Sequence, residues 1–370
     1  MSAAFDSGNI DVLDASRSDD VQLAIRRDAG GDHLQWFHFR VGGARNQPLR
    51  LRIVNAAECS YAKAWNGYQA VASTDRVHWF RVPTRYESGQ LHIEHTPTAD
   101  VTWYAYFAPF SWEQHQDLIG RTQQVEGVTV ERLGATLDGH DLDVVHVGSG
   151  PRTVWAIARQ HPGESMAEWW MQGFLRRLVD PRDALAGRLR DGATFHVVPN
   201  MNPDGSRRGH LRNNAAGANL NREWHAPTME RSPEVKLVRD RMDETGVDFC
   251  LDVHGDEELP YNFLAGPEGV PSYSERIATI QQRFLDAYIE ANPDMQKTYG
   301  YPKAAPGQAN LTMCSNQVAH RFDCLALTLE QPFKDTANRP QPDVGWSPGR
   351  AERLGASAID AIAAILGQLR

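Results

Sequence analysis

Four short runs set the limits on what this chain can fold into. TVWAIA (153–158), ATFHVVP (193–199), VDFCLDV (247–253) and CLALTL (324–329) are apolar at odd and even positions alike. Such runs suit strands buried on both faces, not the one-sided strands of a solvated antiparallel sheet. Helical patterns lie between them. In SMAEWWMQGFLRRLVD (165–180), Met166, Trp170, Phe174 and Leu178 recur every fourth residue, and Pro181 ends the pattern. PEVKLVRDRMDET (233–245) and SERIATIQQRFLDAYIEA (274–291) read as two further helices. Buried strands alternating with helices predict an α/β sheet, largely parallel. Function in such sheets gathers at the carboxyl ends of the strands. HPGE (161–164), NPDG (202–205), HGD (254–256) and LEQP (329–332) all begin there.

The first hundred residues have another rhythm. LQWFHFRV (34–41), LRLRIVN (49–55), VHWFRV (77–82), QLHIEHT (90–96) and TWYAYFA (102–108) are short and rich in aromatic and β-branched residues. Gly42-Gly43, Ser88-Gly89 and Pro97-Thr98 punctuate them. That spacing predicts an antiparallel β-sandwich. A chain of 370 residues accommodates two domains with a core each, and the change of rhythm divides them as 1–118 and 119–370. The fold class expected is therefore α/β: an N-terminal antiparallel sandwich, then a mixed, largely parallel α/β/α domain.

Composition narrows the partners. A net charge of −9 disfavours nonspecific nucleic-acid binding. No apolar run approaches a membrane span, and the N-terminus lacks the basic and apolar regions of a secretory signal. Cys59, Cys250, Cys314 and Cys324 are scattered, with no CxxC pair. They read as reduced thiols in a cytoplasmic protein.

The strand ends carry metal-ligand chemistry. His161 and Glu164 are three residues apart, and Pro162-Gly163 between them favours a sharp turn. His254, delivered from another strand, is a third candidate. Two histidines and one carboxylate, with a fourth position open, make a catalytic zinc site. The open position lets Zn2+ acidify a water and polarise a carbonyl oxygen. Taken singly, HxxE is also met at ordinary strand-to-helix turns, and a lone buried histidine is usually structural.

The segment PNMNPDGSRRGHLRNNAAGANLNREW (199–224), together with HPGE and the later HG, resembles the zinc carboxypeptidases, in their cytosolic carboxypeptidase-like branch. WFHFRV, RIVN and YAYFAPFSW are similar to that branch's N-terminal sandwich, so the resemblance covers most of the chain. It implies a zinc-dependent metallocarboxypeptidase acting on the C-termini of peptides or proteins. It also implies roles. Arg212 would polarise the scissile carbonyl and steady the oxyanion. Asn221 and Arg222 would clamp the terminal carboxylate, since a guanidinium fork matches two carboxylate oxygens. Glu330 would be the general base for the attacking water and then protonate the leaving amine. The family's mobile tyrosine would be Tyr299 or Tyr301.

Two departures stand out. Asn219 occupies the place of an aspartate common before LNR. Members that remove glutamate place a basic group in the side-chain pocket, and GQANLTMCSNQVAHRF (307–322) has none before His320-Arg321; an acidic preference is implied by the resemblance alone. Two other functions compete with the carboxypeptidase: an N-acyl amino-acid deacylase with the same style of zinc site, and a noncatalytic module whose sandwich recruits a partner. The sandwich is also a candidate surface for protein substrates or for homo-oligomer contacts.

Overall fold

A computed structural model describes all 370 residues. Nine strands build the N-terminal part: β1 (Asp11–Asp14), β2 (Val21–Ala24), β3 (His38–Gly42), β4 (Leu49–Ile53), β5 (Val71–Ser73), β6 (Phe80–Arg81), β7 (Thr84–Glu87), β8 (Gln90–His95) and β9 (Val101–Ala105). They form two facing sheets, ordered β1-β2-β4-β8-β7 and β3-β9-β5-β6. Period-2 patterning explains the sandwich: Leu49, Leu51 and Ile53 of β4 point into the core while Arg50 and Arg52 point away. One pairing departs from the antiparallel expectation. β2 and β4 run parallel, because β3, between them in the chain, crosses to the opposite sheet and returns the chain in its original direction.

The expected division at 118/119 falls inside α1 (Trp112–Thr122), which Ser111 and Gln114 cap reciprocally. His115 of this helix bonds Glu168 at 2.6 Å, so α1 packs as part of the second layer.

The second part contains β10 (Val128–Ala135), β11 (Asp141–Val147), β12 (Arg152–Ala158), β13 (Ala193–Val198), β14 (Phe249–Val253), β15 (Phe263–Ala265) and β16 (Leu325–Glu330). They form one sheet ordered β10-β11-β13-β12-β14-β16-β15. Its middle four strands are mutually parallel; β10, β11 and β15 are antiparallel additions at the edges. The helices are α2 (Met166–Leu178), α3 (Ala184–Gly192), α4 (Pro203–Arg208), α5 (Pro233–Thr245), α6 (Glu275–Ala291), α7 (Cys314–Phe322) and α8 (Pro348–Ile365).

Both faces of the middle strands are buried, as their apolar runs require. Val154, Ala156 and Ala158 join the core formed with α2, α6 and α8. Trp155 and Ile157 join a second core with α5 and α7. Helices α2 and α8 touch backbone to backbone: a Cβ on Gly173 would lie 1.9 Å from the Glu352 carbonyl oxygen, and one on Gly355 2.0 Å from that of Trp170. The first core runs on into the sandwich, where Phe333 stacks on Tyr106 with centroids 4.4 Å apart. Arg81 of β6 crosses the same boundary, donating to the carbonyl oxygens of Phe333 and Trp346 at 2.9 Å each. No helix is long and apolar enough to cross a membrane.

Candidate active site

The carboxyl end of β12 turns sharply into α2. Arg159 adopts φ +59° there and is buried. Its guanidinium donates to the carbonyl oxygens of Pro162 (2.9 Å) and Phe110 (2.8 Å) and to the Glu168 carboxylate (2.7 Å). A charge-assisted network of this kind holds the HPGE turn from behind. Gly163 lies against the 210–213 loop, donating to the Leu211 carbonyl oxygen at 2.9 Å. A Cβ there would meet that oxygen at 2.9 Å.

The turn and the end of β14 bring three side chains together. His161 Nδ1 lies 2.7 Å from Glu164 Oε1, His254 Nδ1 lies 2.9 Å from Glu164 Oε2, and the two Nδ1 atoms are 3.2 Å apart. All three residues are buried, and their donor atoms lie within 4.8 Å of one another. The opposite ring nitrogens are held from outside: His254 Nε2 by Asp252 at 2.9 Å, His161 Nε2 by Asn219 Oδ1 at 3.0 Å. Gln160 in turn donates to Asp252 at 2.7 Å. Orientation of ligand histidines by such outer partners is usual in metal sites.

The electrostatics favour a cation at this point. Burial works against a charged His254, yet Asp252 and Glu164 on either side pull its pKa well up. Burial likewise opposes the Glu164 carboxylate, but His161 and His254 hold its pKa well below the ordinary range. Burial, with Arg212 nearby, lowers His161 to about 4, so it stays a neutral imidazole. Two imidazole nitrogens and an ionised carboxylate are the donor set of an open zinc site, and the residues fit that ion. A second cluster, Asp138, His140 and Asp204, already has protein partners: Arg208 pairs with Asp138 at 2.6 Å, and Asp204 accepts from Thr136 and the Asp138 amide.

The other residues expected from the sequence meet here too. A cavity of about 580 Å³ is lined by His161, Glu164, Arg212, Asn221, Arg222 and Glu330. Glu330 ends β16, is 7% exposed, and its Oε2 is buried with no hydrogen-bond partner. Burial pushes its pKa well up; His254 opposes this, while Glu164, Asp256 and Glu257 add to it. Lys334, which could have neutralised Glu330, instead donates to the carbonyl oxygens of Ala64 and Asn66. Arg212 Nη1 lies 3.9 Å from Glu164 Oε1. Asn221 Oδ1 accepts from the Cys314 amide at 2.8 Å, which leaves its amide nitrogen as the available donor. Arg222 Nη1 donates to the Asn221 carbonyl oxygen at 2.6 Å. Burial and the neighbouring Arg212 lower its pKa.

The structure separates the two tyrosines. Tyr301 lines the cavity and donates to Asp256 at 2.5 Å, whereas Tyr299 stacks on Tyr261 and is 54% exposed. Sequence reasoning missed Asp252, Glu257 and Tyr61. An aspartate inside the apolar VDFCLDV, two residues before His254, was a usable signal. Tyr61, from the sandwich, gave none.

Comparison with known proteins identifies the family. Residues 1–107 match the cytosolic carboxypeptidase N-terminal domain, and residues 120–337 match the zinc carboxypeptidase family. A metallo-carboxypeptidase from Pseudomonas aeruginosa, solved in complex with (2-guanidinoethylmercapto)succinic acid, superposes with a TM-score of 0.97 at 46% identity, over 100% of this chain and 99% of that one. A metallo-carboxypeptidase from Burkholderia cenocepacia gives 0.96 at 46% identity, over 99% and 98%. Cytosolic carboxypeptidase 6 of Caenorhabditis elegans is 25% identical over 90% of this chain and 78% of its own length. The chain therefore belongs to the zinc carboxypeptidase family, as a metallocarboxypeptidase with the cytosolic carboxypeptidase N-terminal domain.

Proposed function

We propose that this metallocarboxypeptidase removes C-terminal residues from peptides or proteins, with one zinc ion held by His161, Glu164 and His254. What supports the reading is that His161 and Glu164, with His254 beside them, meet the unpartnered Glu330 carboxylate and two arginines at one cavity. Zinc, when bound, supplies the Lewis acidity that polarises a carbonyl and acidifies a water. Glu330 takes the proton of the attacking water and passes it to the leaving amine. Arg212 presents a fixed cation where the carbonyl oxygen becomes negative. Arg222 and the Asn221 amide hold the terminal carboxylate. The mutual repulsion of Arg212 and Arg222 favours binding an anion between them. Four free cysteines and the naming of the relatives support a cytoplasmic setting.

The carboxylate clamp makes a test that also separates this activity from the deacylase alternative. Amidating the C-terminus of a good peptide substrate should cost most of kcat/KM. Arg222→Lys should lose tenfold or more, since an ammonium cannot reproduce the fork and a charge-assisted hydrogen bond contributes about 1.5–3 kcal/mol. Equal turnover of free and amidated peptides, or faster release from acyl-amino acids than from peptides, would rule the reading out.

For the released side chain, the charges in the cavity argue against the acidic preference. Its only basic lining residues are Arg212 and Arg222, both already assigned to the substrate's backbone groups. Asp256, Glu257 and Glu258 add three carboxylates, and Glu257 is buried with Oε1 unpartnered. A basic or neutral terminal residue suits this pocket better than glutamate. The guanidino and succinate groups of the molecule bound to the Pseudomonas aeruginosa relative have matching chemistry. Amino-acid release from a library of free C-termini decides the point: lysine, arginine or neutral residues should lead, and preferential release of glutamate would reverse the assignment.

A further inference from the structure

Arg212 is held from the other domain. Asp28, in the sandwich segment DAGGDH (28–33), is 2% exposed. Its Oδ1 accepts from the Leu211 amide at 2.6 Å, and its Oδ2 accepts from the amides of Arg212 at 2.8 Å and Asn213 at 2.9 Å. One carboxylate thus satisfies three consecutive main-chain N–H groups of the loop that carries Arg212. The Ala29 amide donates to His210 Nε2 at 3.0 Å, and His33 Nδ1 lies 2.8 Å from Asn213 Oδ1. Where the two loops meet, Gly30 and Gly217 both have φ +75°, and a Cβ on Gly217 would lie 2.0 Å from the Gly30 carbonyl oxygen. The main chains dock with no room for a side chain between them.

The sandwich also touches the guanidinium itself. Tyr61 lines the cavity, and Arg212 Cζ lies 5.8 Å from the centre of its ring, within cation–π range. Tyr61 is pinned in turn: its amide donates to Gln35 Oε1 at 2.8 Å, and Gln35 Nε2 donates to its carbonyl oxygen at 3.2 Å.

We propose that Asp28 and Tyr61 are positioning residues for Arg212, so that the sandwich completes the active site. The proposal rests on the role given to Arg212 above. A cation stabilises a developing oxyanion only if it is preorganised at the right point, and an arginine left to itself has many rotamers. Asp28 fixes the main chain beneath the side chain, and the Tyr61 ring limits the directions open to the guanidinium. Asp28 lies outside the cavity lining, and Tyr61 meets the guanidinium with its ring.

Kinetics on the full chain test this. Asp28→Asn sets an amide against a row of N–H donors. It should lower kcat roughly 10–100-fold, short of the roughly 10²–10³-fold cost of removing an oxyanion donor outright, with KM and zinc content close to wild type. In an Arg212→Ala background the same change should alter kcat by no more than about twofold, since the two act as one unit. Equal losses in both backgrounds would mean a general structural role and overturn the proposal, as would wild-type kcat in Asp28→Asn. Should Asp28→Asn not fold, Tyr61→Leu and Tyr61→Phe decide: loss with leucine and retention with phenylalanine support the proposal, and equal rates overturn it. Undiminished kcat/KM in Arg212→Ala alone would instead overturn the assignment of Arg212 beneath it, a result recognisable without either sandwich variant.

Discussion

Glu330→Gln is expected to lose nearly all turnover while binding zinc and peptide much as the wild type does. Glutamine keeps the shape of the side chain and one acceptor oxygen but cannot take a proton. General acid–base catalysis contributes about 10²–10⁴-fold, equivalent to ~3–5 kcal/mol of barrier. The surroundings favour that outcome. Glu330 closes β16 opposite Phe263 of β15, so its backbone is fixed by the sheet and not by its carboxylate. Its Oε2 has no partner within the protein, and the raised pKa marks a carboxylate that takes up a proton readily. Removing a poorly stabilised buried charge should leave stability unchanged or improved, whereas breaking a structural ion pair would lower it. The measurement is kcat beside zinc content and melting temperature. Near-normal kcat would place the base elsewhere, and loss of zinc would make Glu330 a ligand.

How much of this was legible in the sequence depended on distance along the chain. Strands β12, β13, β14 and β16 could be read because burial on both faces leaves them apolar at odd and even positions alike. The outer strands β10 and β11 could not: VTVERLGA and DLDVVHV carry charges toward solvent, and their pairing is set by neighbours in space. Helix α8 was also passed over. Small residues such as Gly355, Ala358 and Ala361 blur its apolar stripe, yet the backbone contact with α2 requires small groups there.

The site follows the same rule. His161 with Glu164 sits at a strand end, where residue type and spacing carry the chemistry, and Asn221 with Arg222 was tied to the site by the family resemblance of its motif. Asp28 acts on Arg212 across 184 residues of chain, and Tyr61 also comes from the sandwich. No local pattern could have tied either residue to the site. The choice of Tyr301 over Tyr299 likewise turned on which ring faces the cavity, a matter of packing.

His161→Ala should abolish tight metal binding without unfolding the protein. Of the three donors, Glu164 and His254 would remain, still bonded to each other at 2.9 Å and to the Gly255 amide and Asp252. That pairing keeps the buried charges compensated, so loss of the fold is not expected. Two ligands hold zinc far less firmly than three, and His161 is itself oriented by a neutral amide, Asn219. Binding energy appears as stability, because an ion bound only by the folded state contributes RT ln(1 + [L]/Kd), about 4 kcal/mol at a thousandfold excess over Kd. Chelated wild type should therefore melt lower than the zinc-loaded form and recover when zinc is returned. The alanine variant should melt near the chelated wild type and respond little to added zinc. Elemental analysis beside the two melting curves settles the matter: full zinc occupancy with an undiminished zinc-dependent shift in His161→Ala would show that the ion is held by other residues.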